Sequence, residues 1–94
     1  MKVYERFLKA CMGRKIVVRY GRCADGRGAG RCEVRGELLA FDNLCLLLLV
    51  REGIGSRSSE KLVLINKKEV ESIEIVGREN VQEFWWAYEK FKGN

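Results

Sequence analysis

The succession of apolar patterns predicts a mainly β domain: a small, strongly bent five-stranded antiparallel barrel with a helix at each end. Three observations carry this. Between residues 15 and 76 run five apolar segments, most of them β-branched or alternating, with turn residues between them. The second holds a glycine, Gly36, at a position where an alternating strand would bend or bulge. Before and after the five, apolar residues recur at helical spacing.

Residues 2–12 read as a short amphipathic helix. Val3, Tyr4, Phe7, Leu8, Cys11 and Met12 fall on one half of the wheel, and Gly13 supplies a stop. "KIVVRY" (15–20) is β-branched and aromatic, as strands are. The glycines of 21–31 mark a loop. In "CEVRGELLAF" (32–41) Cys32, Val34, Gly36, Leu38 and Ala40 alternate inward against Glu33, Arg35 and Glu37. "LCLLLLV" (44–50) does not alternate, which predicts cover on both of its faces. After a polar loop at 51–60, "KLVLIN" (61–66) and "EVESIEIV" (69–76) are two strands about a tight turn. The last segment is helical by pattern. Val81, Phe84, Trp85 and Tyr88 share a face that should pack on the sheet over strand 44–50, and Trp86 points elsewhere. The division that follows is a barrel domain over 1–78 and an amphipathic aromatic helix over 79–94.

Composition bounds the function. Ninety-four residues at 47% apolar and 33% charged make one folded domain, and 18 Lys/Arg against 13 Asp/Glu give a net charge of +5 that favours a polyanionic partner. Histidine is absent, which removes Ser-His-Asp and Cys-His catalysis and His-ligated metal. The four cysteines lack CxxC pairing. No enzyme, metal or cofactor is expected. Cys11 and Cys45 read as small core residues, and Cys23 and Cys32 could form a disulfide across the glycine-rich loop. Leu44 to Val50 is far shorter than the roughly 20 apolar residues of a membrane helix, and no secretory pattern opens the chain, so a cytoplasmic protein without membrane contact is expected.

Two turns invite a binding role. Asp42-Asn43 interrupts the most apolar stretch of the chain, and Asn66-Lys67-Lys68 separates the last two strands. In a meander both turns lie at one end of the sheet. Amides there could read a base edge, and lysines could neutralise phosphate. The alternative is turn chemistry alone, since Asp, Asn and Lys are ordinary turn residues. The basic loop Gly26–Arg31 leads into a strand rather than a helix, so it lacks the form of a phosphate cradle.

The spacing Gly36-Glu37-Leu38, Phe41-Asp42, Asn43-Leu44-Cys45-Leu46 resembles the first motif of the Sm/LSm family, and Ile65, Val70 and Ile73 stand at the spacing of its second. The resemblance covers residues 2 to about 76. It departs in the shortened turn after Asp42, in Asn66 where the family has an RNA-contacting arginine, and in Lys67 where the family has glycine. It implies an Sm-like ring of six or seven subunits, closed by pairing the fourth strand of one copy with the fifth of the next. Such a ring would bind single-stranded, U-rich RNA in RNA processing or turnover. Asn43 would contact the base and Asp42 would orient Asn43 or the turn, with Asn66, Lys67 and Lys68 supplying further polar and phosphate contacts. Two other readings stand beside this one. The first is a ring-forming scaffold that has lost the uridine site and meets protein partners, with Trp86 as a contact. The second is an unrelated small barrel of SH3-like or OB type.

Overall fold

The structure is a computed structural model that describes residues 2–21 and 32–91. In chain order it contains α1 (Val3–Cys11), β1 (Lys15–Tyr20), β2 (Cys32–Phe41), β3 (Cys45–Glu52), β4 (Ser59–Asn66), β5 (Val70–Glu74) and α2 (Arg78–Lys90). Short 3-10 turns at Gly55–Arg57 and Lys67–Glu69 lead into β4 and β5.

The helix at the N-terminus ends as its glycine predicts. Gly13 takes φ +75, a left-handed conformation that side chains disfavour, and its N–H donates to the Leu38 carbonyl at 2.9 Å. That bond and the return bond from Leu38 N–H to the Arg14 carbonyl tie the helix end to the middle of β2. The helix buries Leu8, Ala10 and Cys11, whereas Val3, Tyr4 and Met12 of the expected apolar half are exposed. The buried residues all lie in the second half of the nine-residue helix, while Val3 and Tyr4 of its first turn border an open groove beside β5.

All five strands are antiparallel, in the order β4-β3-β2-β1-β5. One face carries the core: Ile16 and Val18 of β1, Leu38 of β2, Leu46, Leu48 and Val50 of β3, Ile65 of β4, with Leu8 above them. Burying each such side chain contributes about 1.5–3 kcal/mol before entropy is charged against it.

The predicted barrel is not formed. Strands β4 and β5 occupy opposite edges of the sheet, and among the described residues no ladder joins them, so the sheet is open. The turn Lys67–Glu69 carries the chain from β4 to the far side of β1, where Ile73 pairs with Val18 and Glu74 with Val17, and among the described residues no strand pairs with the outer edge of β4. The bend in β2 is local. A Cβ on Gly36 would stand 2.6 Å from the Leu49 carbonyl oxygen, so β2 approaches β3 closely there. The register then slips between Leu38 and Ala40, leaving Leu39 as an extra residue. This bulge reverses the phase of the strand, and Ala40, expected inside, is exposed on the outer face opposite Leu47.

The closing helix also departs from expectation. It packs on α1, not over β3. Phe84 enters the core with its ring centroid 4.6 Å from that of Phe7, and the Arg6 guanidinium lies 3.8 Å from the Tyr88 ring centroid while its Nε donates to the Tyr88 carbonyl at 2.8 Å. Arg14 adds an ion pair to Glu83 at 2.7 Å. These contacts draw one narrow stripe of α2 inward, so Val81 and Trp85 of the predicted face remain exposed, as does Trp86. The outer side of β3 is therefore without the helical cover its composition predicts. Cys32 is disulfide-bonded and Cys11 and Cys45 are free, while the Cys23 end of the pairing raised by the sequence lies outside the described residues.

Candidate functional site

The two turns do meet. The Lys67 N–H donates to the Leu44 carbonyl at 2.8 Å, and Cys45 pairs with Asn66, which sets Asp42, Asn43, Asn66, Lys67 and Lys68 at one end of the β3–β4 pair. Two of the five side chains, Asp42 and Asn66, are occupied with the backbone. Asp42 Oδ1 accepts from the N–H groups of both Leu44 and Cys45 at 2.8 Å. Those two bonds, assisted by the nearby Lys67 charge, hold its carboxyl below the usual carboxylate range. Asn66 Oδ1 accepts from the Lys68 N–H at 2.9 Å and caps the 3-10 turn. Lys67 Nζ lies 5.1 Å from the Tyr4 ring centroid and 5.4 Å from that of Phe41, a cation held between two aromatic faces. Turn chemistry thus accounts for Asp42 and Asn66, and packing for Lys67. Asn43 and Lys68 are exposed.

A stronger feature lies along the neighbouring edge. The Lys67–Leu44 bond fixes the phase of the β3–β4 ladder, because bonded pairs alternate with unbonded ones. Residues 61, 63 and 65 therefore bond back to β3. Glu60, Leu62 and Leu64 turn their own N–H and C=O groups to the open side. The side chains of Leu62 and Leu64 point to the outer face and are 64% and 67% exposed. They continue an apolar half-face made with Leu47 and Leu49 of β3 and Ala40 of β2. The register with β3 runs without a slip over eight residues, so the edge is long and regular.

The rest of the outer face is an ion-pair lattice. Arg19 bridges Glu33 at 3.2 Å and Glu74 at 3.0 Å, Arg35 pairs with Glu33 at 3.1 Å, and Arg51 with Glu60 at 2.9 Å. Where the two halves meet, the Gly36 bend and the start of α2 enclose a groove of about 400 Å³. Sequence reasoning gave the edge of the fourth strand only to ring closure between copies, and it missed the groove. The uncharged run Leu62-Val63-Leu64-Ile65 was the available signal for the first. The second joins Lys15, Arg35, Arg51 and Asn80 across 65 positions, a proximity no local pattern carries. Among the described residues no group of three or more His, Cys, Asp or Glu is placed to hold a metal, and no helix is long and apolar enough to cross a membrane.

No family model, no curated protein and no solved structure matches the chain. The Sm/LSm resemblance is corrected on that finding together with the open sheet, and what it implied goes with it: the ring of six or seven subunits, the U-rich single-stranded RNA, the scaffold variant of the ring and the partner contact assigned to Trp86. The motif spacing that suggested the family also arises from a β-meander with a bulge and two polar turns. Trp86 is exposed beside Trp85, which stacks on Tyr88 at 5.4 Å, and neither identifies a partner.

Proposed function

We infer that this is a protein-binding module that accepts an extended segment of another protein along the open edge of β4, with no chemistry of its own. The observation that carries the reading is the pair Leu62 and Leu64, exposed on a regular edge strand whose outer side no strand pairs among the described residues. Soluble proteins normally blunt such edges with charge, proline or a bulge, because an apolar strand with free N–H and C=O groups templates pairing. Strand β5, at the other edge, follows that rule, with Glu69, Glu71 and Glu74 in or beside its five residues. Over residues 62–65 β4 carries none of these devices. An added strand would satisfy the outward groups of Leu62 and Leu64 and extend the leucine half-face, which is how strand-accepting domains gain affinity from the main chain and selectivity from alternate side chains.

A foreign segment suits this edge better than a second copy, since two chains of net charge +5 repel one another. Asn43 and Lys68, exposed beside the end of β4, are placed to engage a polar or acidic end of the segment.

The test uses isotope-labelled protein and a blocked peptide of alternating valine and glutamate, followed by amide chemical shifts. Shifts centred on Glu60, Leu62 and Leu64 are expected. They should vanish with a backbone N-methylated peptide, and also with Leu64→Pro, which removes an N–H that β3 does not use. Equal binding of the N-methylated peptide, or no shift on β4, would end the reading. Self-association of the chain that Leu64→Pro abolishes would replace the foreign segment with a second copy.

A further inference from the structure

We propose that the groove at the Gly36 bend is a separate site for a small amphipathic carboxylate, an alkyl or aryl chain ending in one negative charge. Its floor is apolar: Val17 of β1, Leu49 of β3 and the glycine itself, with Val76 closing one side. The Cβ that Gly36 lacks would point to the core face, toward the Leu49 carbonyl and Val50, so β2 runs close against β3 beneath the groove. The wall formed by the start of α2 is fixed, since Asn80 Nδ2 donates both to the Lys15 carbonyl at 3.3 Å and to the Val76 carbonyl at 3.2 Å.

The rim is biased in charge. Lys15, Arg35 and Arg51 border the groove against a single carboxylate, Glu37. Arg35 and Arg51 each use Nε for an acidic neighbour, Glu33 and Glu60, and among the described residues the terminal nitrogens of neither guanidinium are hydrogen-bonded. Lys15 has no ion pair among the described residues. A guanidinium fork presented beside an apolar floor suits a carboxylate with a hydrocarbon tail, the head on the rim and the tail along Val17 and Leu49. A cation would meet three like charges, and a neutral chain would leave Lys15 without an ion pair.

The probe is octanoate, with octylammonium as a chain of the same length and opposite charge. Each is titrated into labelled protein and followed through amide shifts. Octanoate should move the amides of residues 35–37, 49–51 and 76–80 with a dissociation constant that is roughly millimolar for a ligand of its size. Lys15→Gln should weaken it about fivefold, the effect of one partly exposed charge contact. Leu64→Pro should leave it unchanged, which separates this site from strand binding on β4. The proposal is overturned if octylammonium binds as well as octanoate, if the shifts centre on Leu62 and Leu64 instead, if Lys15→Gln has no effect while its spectrum stays folded, or if octanoate produces no shift.

Discussion

Substituting Gly36 by alanine tests the close packing of β2 on β3 at the bend. The added Cβ would lie 2.6 Å from the Leu49 carbonyl oxygen and 3.1 Å from Val50 Cγ2. The nearer atom is backbone in the middle of the β2–β3 ladder, so no side-chain rotation relieves the contact. The strands must separate by several tenths of an ångström, on the core face that Val50 shares with the fully buried Leu46 and Leu48. Inserting a methyl group into such a site costs about 1–3 kcal/mol. For a domain of this size, total stability is of order 5–14 kcal/mol, and each kcal/mol is worth roughly 4–8 °C in Tm. Gly36→Ala should therefore lower Tm by about 5–20 °C and move the urea midpoint down with little change in slope. Gly55→Ala is the control for glycine replacement as such. Gly55 has φ +65 and open space around its Cβ direction, so its cost is conformational only, near 1–2 kcal/mol. The decisive comparison is between the two. If Gly36→Ala unfolds within 0.5 kcal/mol of the parent chain while Gly55→Ala is destabilised as stated, the close approach of β2 to β3 is wrong.

Two further outcomes follow from the ionisable groups. Asp42 accepts two backbone bonds that hold its carboxyl below the ordinary value, so its contribution to folding is complete above the unfolded pKa of about 3.9 and is lost as pH falls through the lower folded value. The parent chain should then exceed Asp42→Ala in urea midpoint at neutral pH, with the gap narrowing below about pH 4; a gap constant down to pH 2 would contradict the assignment. Burial pushes the Cys11 thiol up to about 12, only partly opposed by the nearby Arg14 charge. At neutral pH Cys11 should resist alkylation until urea opens the core, while the half-buried Cys45 reacts first. Peptide mapping by mass spectrometry reads both, and rapid native alkylation of Cys11 would place α1 off the sheet.

Much of the secondary structure was legible in the sequence because its causes are local. Strands β1 and β2 begin and end where the β-branched run and the alternation begin and end, and α1 stops at the left-handed Gly13. The meeting of the Asp42 and Lys67 turns was also legible, because a meander forces the ends of successive strands together. Asp42 and Asn66 show why the meaning of that meeting was not: each side chain satisfies backbone N–H groups, and a residue type that suits a turn is the same one that suits a ligand.

What the tertiary structure decided depends on forces between distant segments. The sequence specifies that strand 44–50 is apolar on both faces, but whether a helix covers it rests on the competition between α1 and β3 for α2. Arg6, Phe7 and Arg14 win that competition through an aromatic contact, a carbonyl bond and an ion pair, none of which has a sequence signature. The single slip at Leu39 likewise turns Ala40 outward and keeps the strand's bend local. The five strands were thus written into local chemistry. The open edge of β4, its bare leucines and the groove beside Gly36 were fixed only by which surfaces the rest of the chain left uncovered, because burial is settled by the whole fold and not by any one segment.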